Sequence, residues 1–263
     1  MARSELVPRI PFPEGGDLDL LQQEYATLLE RAVGLELEVA TLEASLVAFE
    51  DVYLLRCGAL YAEYDRADAE LAQFLAELRP GDAVLAARAQ AAQTKAEASK
   101  AAADRSAARG APRVFQPDEE LRALYRRTAR EMHPDRARDE RQAAVLHDWM
   151  VELNALYTRG DGEGIRGLLQ EFKSGSAAAP VRTDAAEVAL VKGQLATVKR
   201  TLRRLDERLS ELRKRELYDL WARVRAATDR GEDLLGALAK DLRKRVDGAR
   251  VRLEALRKRK GTS

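Results

Sequence analysis

His133-Pro134-Asp135 is the segment whose residue types could do chemistry. An imidazole and a carboxylate stand two positions apart, and the proline between them restricts the backbone that carries both. The imidazole can share a proton or a hydrogen bond. The carboxylate can form a charge-assisted bond with a cation across an interface. The chain offers little else that reacts. His147 is the only other histidine and Cys57 the only cysteine, so no metal-ligand spacing arises, although Asp135 and Asp148 lie close to the two histidines. No nucleophile-and-base pattern is present. Gly160-Asp161-Gly162-Glu163-Gly164 is glycine-rich, but no strand-like run precedes it, which argues against a phosphate-binding loop. The expectation is a protein that is not an enzyme, with no catalytic residues, no metal and no cofactor, in which the turn serves recognition.

Two helical patterns hold this turn. Upstream, Leu121, Leu124, Thr128 and Met132 fall on one helix face; downstream, Leu146, Met150, Leu153 and Tyr157 do the same, widened by Trp149. Pro117 suits a first helical position, and Asp118, Glu119 and Glu120 complement the positive helix end. Pro134 biases His133 away from helical angles and ends the first helix. The pattern predicts a rigid, polar, exposed turn at the tip of a helical hairpin. Arg122, Arg126 and Arg130 recur every four residues and form one stripe, with Arg127 beside it. A helix that accepts such repulsion has a solvated face or an acidic partner. Gly160 is a helix stop, after which Ile165, Leu168, Leu169 and Phe172 give a short amphipathic helix that can close the hairpin.

These residues resemble the J domain of DnaJ-type co-chaperones, whose signature is His-Pro-Asp between two antiparallel helices. Asn154-Ala155-Leu156-Tyr157 is similar to the family's Asn-x-x-Tyr near the end of the second helix. The resemblance spans roughly residues 115–172, less than a quarter of the chain. It implies a partner, a DnaK-type heat-shock chaperone whose ATP hydrolysis is stimulated so that a client protein is trapped. Carried over by position, His133, Pro134 and Asp135 are the trigger, and Arg122, Tyr125, Arg126, Arg127 and Arg130 are the docking face. Typical J domains open with a short helix bearing Tyr-x-x-Leu-Gly. Here the preceding stretch is Gly110-Ala111-Pro112-Arg113-Val114-Phe115-Gln116, and Val114 and Phe115 are the candidates to fill that apolar gap. A Gly/Phe-rich linker and a Cys-x-x-Cys zinc module are also lacking, so the resemblance is to J proteins whose flanks supply location or client choice.

The flanks are long helices by composition and period. Charged residues make up 34% of the 263 and aromatics 5%, with Ala, Leu, Glu and Arg abundant, a bias that fits helical arms around a small domain rather than one large globule. Leu21, Tyr25, Leu28, Ala32, Leu35, Val39, Leu42, Leu46, Phe49 and Tyr53 alternate in steps of four and three. Phe49–Tyr53–Cys57 is a stutter of two four-residue steps, after which Leu60, Tyr64, Ala67, Leu71, Phe74 and Leu78 follow. Pro80-Gly81 breaks the run. Residues 82–109 are helical by propensity but have no large apolar stripe, which predicts weak packing. Ser174 to Pro180 reads as a linker. Beyond it come Val191, Leu195, Val198, Leu202, Leu205, Leu209 and Leu212, then Leu217, Leu220 and Val224, a turn at Gly231, and a last helix through Leu235, Leu242, Val246, Leu253 and Leu256. The expected organisation is all-α: 1–16 a flexible N-terminus, 17–80 an acidic coiled-coil arm, 81–112 an Ala-rich helix and linker, 113–173 the J-like hairpin, 174–182 a linker, and 183–263 a basic coiled-coil arm.

Charge indicates how the arms pair. Residues 17–80 hold 14 acids and 4 bases, whereas 181–263 hold 23 bases and 13 acids, so the overall charge of +1 hides two opposed halves. Such complementarity selects unlike partners. The acidic arm is expected to pack on the basic one, within one chain or between two chains of a homodimer. Arg243-Lys244-Arg245 and Arg257-Lys258-Arg259-Lys260 could touch nucleic-acid phosphates, but no aromatic platform accompanies them, so nucleic acid is not the expected partner. No stretch is apolar enough to span a membrane and the N-terminal residues lack the apolar core of a signal peptide, so a cytoplasmic location is expected. The alternative function is a coiled-coil scaffold with an incidental His-Pro-Asp turn, contacting nucleic acid through the basic arm.

Overall fold

A computed structural model describes residues 16–109, 115–175 and 183–261. All regular structure among them is helical, which makes the fold all-α, with a long helical arm at the start. The helices are α1 (Gly16–Tyr53), α2 (Ala59–Leu78), α3 (Ala83–Arg109), α4 (Glu119–Met132), α5 (Glu140–Thr158), α6 (Gly162–Gly175), α7 (Asp184–Arg213), α8 (Glu216–Asp229) and α9 (Leu234–Gly261). The expected flexible N-terminus lies outside the described residues up to 15, as do Gly110 to Val114 and most of the expected linker, whose Ser174 and Gly175 belong to α6. None of the described helices is long and apolar enough to cross a membrane.

A π-helical turn, Leu54–Gly58, joins α1 to α2. It falls on the stutter. Two four-residue steps exceed the alternation by one residue, and a π turn absorbs one extra residue without ending the helix. Cys57 thereby stays fully buried in register with the apolar stripe.

The chain divides into two compact units, each built from separated segments: Met1–Glu43 with Phe115–Leu212, and Ala44–Val114 with Arg213–Ser263, as far as these are described. The acidic and basic arms therefore each contribute to both units rather than forming domains of their own. In the first unit, Val33, Leu37 and Ala40 of α1 pack with Tyr125, Ala129, Met132, Met150, Leu153, Tyr157, Ile165 and Leu168 of α4, α5 and α6. Phe115 fills part of this core, as expected of it, with its ring edge-on to Tyr157 at 5.5 Å. A different face of α1 meets α7 through Ala32, Val198 and Leu202, flanked by Tyr25, Leu28 and Leu35. Lys199 pairs with Glu24 at 2.7 Å, and one heptad on along both helices Arg31 pairs with Asp206 at 3.9 Å, so the two run parallel.

In the second unit, Leu71 and Phe74 of α2 meet Leu253 of α9, and Arg250–Glu63 (3.0 Å) and Arg257–Glu70 (3.7 Å) mark a second parallel pairing. Acidic and basic arms thus pair within one chain. Gly231 closes α8 at φ +77, letting Glu232 and Gly231 donate to Ala227 and Thr228 carbonyls.

The Ala-rich segment departs from expectation. α3 packs closely on α2 and does so through small residues. Asp65, 3% exposed, accepts from Lys95 at 2.9 Å and from the Ser99 hydroxyl. Alanine gives little burial by size but lets two backbones approach. A Cβ placed on buried Gly58 would lie 3.7 Å from Ala103. Gly58→Ala is therefore expected to be neutral or stabilising by up to about 1 kcal/mol. Gly58→Leu must displace Ala103 and is expected to cost about 1–3 kcal/mol. Urea unfolding of both variants measures the difference, and equal stabilities would mean that α3 is loosely held.

Candidate functional site

The turn is made by local chemistry before any distant contact. Asp118 caps α4 by accepting from the Leu121 N–H at 2.7 Å. α4 ends at Met132 because His133, ahead of proline, is extended (φ −62, ψ 129). Pro134–Arg136 then form one 3-10 turn, closed by Arg136 N–H to the His133 carbonyl at 3.0 Å and Ala137 N–H to the Pro134 carbonyl at 2.9 Å. Asp139 caps α5 by accepting from the Gln142 N–H at 2.8 Å. α5 runs back along α4 and brings Asn154 to Tyr125, whose hydroxyl lies 2.6 Å from Asn154 Oδ1. Gly160, at φ +72, ends α5 and directs the chain into α6.

Inside the turn, His133 Nδ1 accepts from the Asp135 N–H at 3.1 Å. A neutral imidazole so engaged carries its proton on Nε2. That nitrogen faces Glu36 Oε2 of α1 at 3.5 Å. Asp135 Oδ1 accepts from the Thr201 hydroxyl of α7 at 3.1 Å, and the Asp135 carbonyl accepts from the Tyr25 hydroxyl of α1 at 3.1 Å. Gln194 of α7 donates to the Arg136 carbonyl at 3.1 Å.

These contacts overturn the expectation of an exposed turn. His133 is 1% and Asp135 5% exposed, with Pro134 half-buried. The reason is tertiary. α1 and α7 cross the tip of the hairpin, and each uses polar side chains there. Their fit is incomplete, since Glu36 Oε2, His133 Nε2 and Asp135 Oδ2 are buried without a hydrogen-bond partner. A buried polar atom in that condition costs about 1–3 kcal/mol.

The basic face is also rearranged. Tyr125 is not on it. The side chain is fully buried beside Tyr157, ring centroids 4.8 Å apart, and burial pushes its phenol well above the usual tyrosine range. Arg130 forms a two-pronged pair with Glu30 of α1, Nη2 to Oε2 at 2.7 Å. Arg126 pairs with Glu119 of its own helix at 2.5 Å, Arg122 is half-buried with its charge near the Tyr157 phenol, and Arg127 is exposed. Tyr157 in turn shares a 2.8 Å hydrogen bond with Thr41 of α1. Glu30, Glu36, Gln194 and Thr201 escaped the sequence reading, and Tyr25 was read only as a heptad position. For the α1 residues the one signal was a second apolar stripe, Val33, Leu37 and Ala40, offset from the dominant leucine series; Gln194 and Thr201 of α7 had none.

Comparison with protein-family models, with curated proteins and with solved structures gives no match.

Burial raises the pKa of the Asp135 carboxyl, with Glu36 adding to the rise and His133, Thr201 and Arg204 opposing it. A carboxyl raised on folding takes up its proton more readily when folded. Its burial therefore weighs least against the fold below the unfolded value near 3.8, and stability is lost as pH climbs through the folded pKa. Asp135→Asn keeps an acceptor for Thr201 and removes the charge. Near neutral pH it is expected to melt higher than wild type, with the gap narrowing toward pH 4. Thermal melts across that range test this. A lower melting point at neutral pH would mean that the buried charge stabilises the turn.

Proposed function

We propose that this protein is a J-domain co-chaperone of a DnaK-type partner, acting through His133-Pro134-Asp135 and the arginines of α4. The observation that carries the reading is the turn. It is a single rigid 3-10 step held between a basic, Asp-capped α4 and an antiparallel α5, with Tyr125 and Asn154 tying the two. In this reading the gap left by the absent first helix of typical J domains is filled by Phe115 and by Val33, Leu37 and Ala40 of α1. Arg126, Arg127 and Arg130 supply the positive charge that steers an acidic ATPase surface. The chemistry of ATP cleavage belongs to the partner, and the site of action is the cytoplasm. The arms select the client or the location.

A second reading is favoured by one observation, the burial of His133 and Asp135. On it the turn is an internal joint of a helical scaffold and touches no partner.

Incubating the full chain with a DnaK-type ATPase decides between them. The co-chaperone reading expects stimulated hydrolysis that His133→Gln removes, and that weakens as salt screens the arginines. Hydrolysis that the full chain never raises, in either the wild type or a form with the turn uncovered, leaves the scaffold.

A further inference from the structure

We propose that α1 and α7 form an intramolecular clasp that seats on the turn and on the basic face of α4 where an acidic partner surface would sit, so that the chain is held closed until the clasp is displaced. The proposal rests on the co-chaperone reading above and adds its regulation.

Three observations converge. First, α1 meets α4 with acids. Glu30 takes the Arg130 guanidinium with both carboxylate oxygens, and Glu36 stands against His133 Nε2 at 3.5 Å. This is the chemistry that an arginine-bearing face and a histidine turn would seek in a partner. Second, α7 completes the cover from another side, through Thr201 on Asp135 and Gln194 on the Arg136 carbonyl. The turn's side chains and its backbone acceptors are therefore both occupied. Third, the fit is poor in one respect. Glu36 Oε2, His133 Nε2 and Asp135 Oδ2 lie buried and unbonded. His133 Nε2 and Glu36 Oε2 face each other at more than hydrogen-bond length, so their burial is only partly compensated, and lifting α1 would return both to water or to a better-matched surface. On this side α1 and α7 meet through Ala32, Val198 and Leu202, with Tyr25, Leu28 and Leu35 packed against them.

The groups that face His133 and Asp135 are Glu36 and Tyr25 from α1, Thr201 and Arg204 from α7, and Arg136 from the turn. Burial pushes the Tyr25 phenol up to about 12, so it remains a hydrogen-bond donor to the turn throughout the neutral range.

The chain's two histidines supply an internal comparison, since His147 is exposed and His133 is buried. Diethyl pyrocarbonate is added to the full-length protein, and each histidine's modification is followed by peptide mass spectrometry, with DnaK-type ATPase stimulation measured in parallel. In the wild type His133 is expected to react roughly tenfold or more slowly than His147. Glu30→Arg combined with Tyr25→Phe sets a like charge against Arg130 and removes a hydrogen bond to the turn. It is expected to bring His133 close to the His147 rate and to raise stimulation severalfold at a fixed sub-saturating concentration. Thr201→Glu, which places a second carboxylate against Asp135 from α7, is an independent opening variant, and circular dichroism establishes that each remains helical.

Equal reactivity of the two histidines in the wild type overturns the clasp whatever the ATPase does. So does a His133 that stays protected in both helical variants, or stimulation that is no higher once His133 is uncovered. An uncovered His133 with no stimulation in any form overturns the co-chaperone reading instead, and the two failures are thereby told apart.

Discussion

α1 has to bury two faces at once, and the arrangement of its unit follows from that requirement. One face, through Ala32 and flanking Tyr25, Leu28 and Leu35, matches α7. The other, through Val33, Leu37 and Ala40, completes the core of the α4–α5–α6 hairpin. A helix with apolar stripes on two sides is driven into the middle of its neighbours rather than onto their surface. Once it is there, its polar positions cannot avoid the hairpin's tip. Glu30, Glu36 and Tyr25 are the residues that the geometry delivers to Arg130, His133 and Asp135. The burial of the turn is thus a consequence of where α1 finds cover for its second face.

Charge does a different job from apolar area here. The paired arms carry cross-helix ion pairs, among them Lys199–Glu24, Arg208–Glu43 and Arg250–Glu63, but their side chains are about half exposed. Pairs of that kind contribute about 0–1 kcal/mol each. Leucine and alanine burial supplies the bulk of the association, while the opposed charges fix which helix lies beside which and in what direction. Parallel pairing in both units, at heptad spacing, is what a charge-selected register looks like.

The turn itself is a place where local and distant requirements conflict. Proline, an extended histidine and an aspartate make a polar step closed by local backbone hydrogen bonds, with the Asp135 and Arg136 carbonyls left to outside donors. Its side chains are suited to water or to a charged partner. Packing nevertheless buries them, and a carboxylate, an imidazole and a second carboxylate share one enclosed site. Conflicts of that sort are where function tends to sit, because a structure tolerates unsatisfied polar groups only when the surrounding contacts hold them in place.

The sequence by itself determined what depends on neighbours along the chain. The all-α class, the stops at Pro80, Pro134, Gly160 and Gly231, the reset of the heptad beyond Tyr53 and the pairing of acidic with basic arms were all legible, since each rests on helical period, local backbone preference or summed charge. The rigid His-Pro-Asp step between two helices was legible for the same reason. Close packing of α3 was not, because alanine reads as weak apolar content although its small size is what lets Gly58 approach Ala103. Nor was the place of Tyr125, which shares the helix with the arginines but points into the core. Only the tertiary structure decided that the turn is covered. That cover comes from Glu36 and Thr201, roughly a hundred positions before and about seventy after it, and no period or local preference relates residues so far apart; they meet because α1 buries one apolar face in the hairpin's core and another against α7.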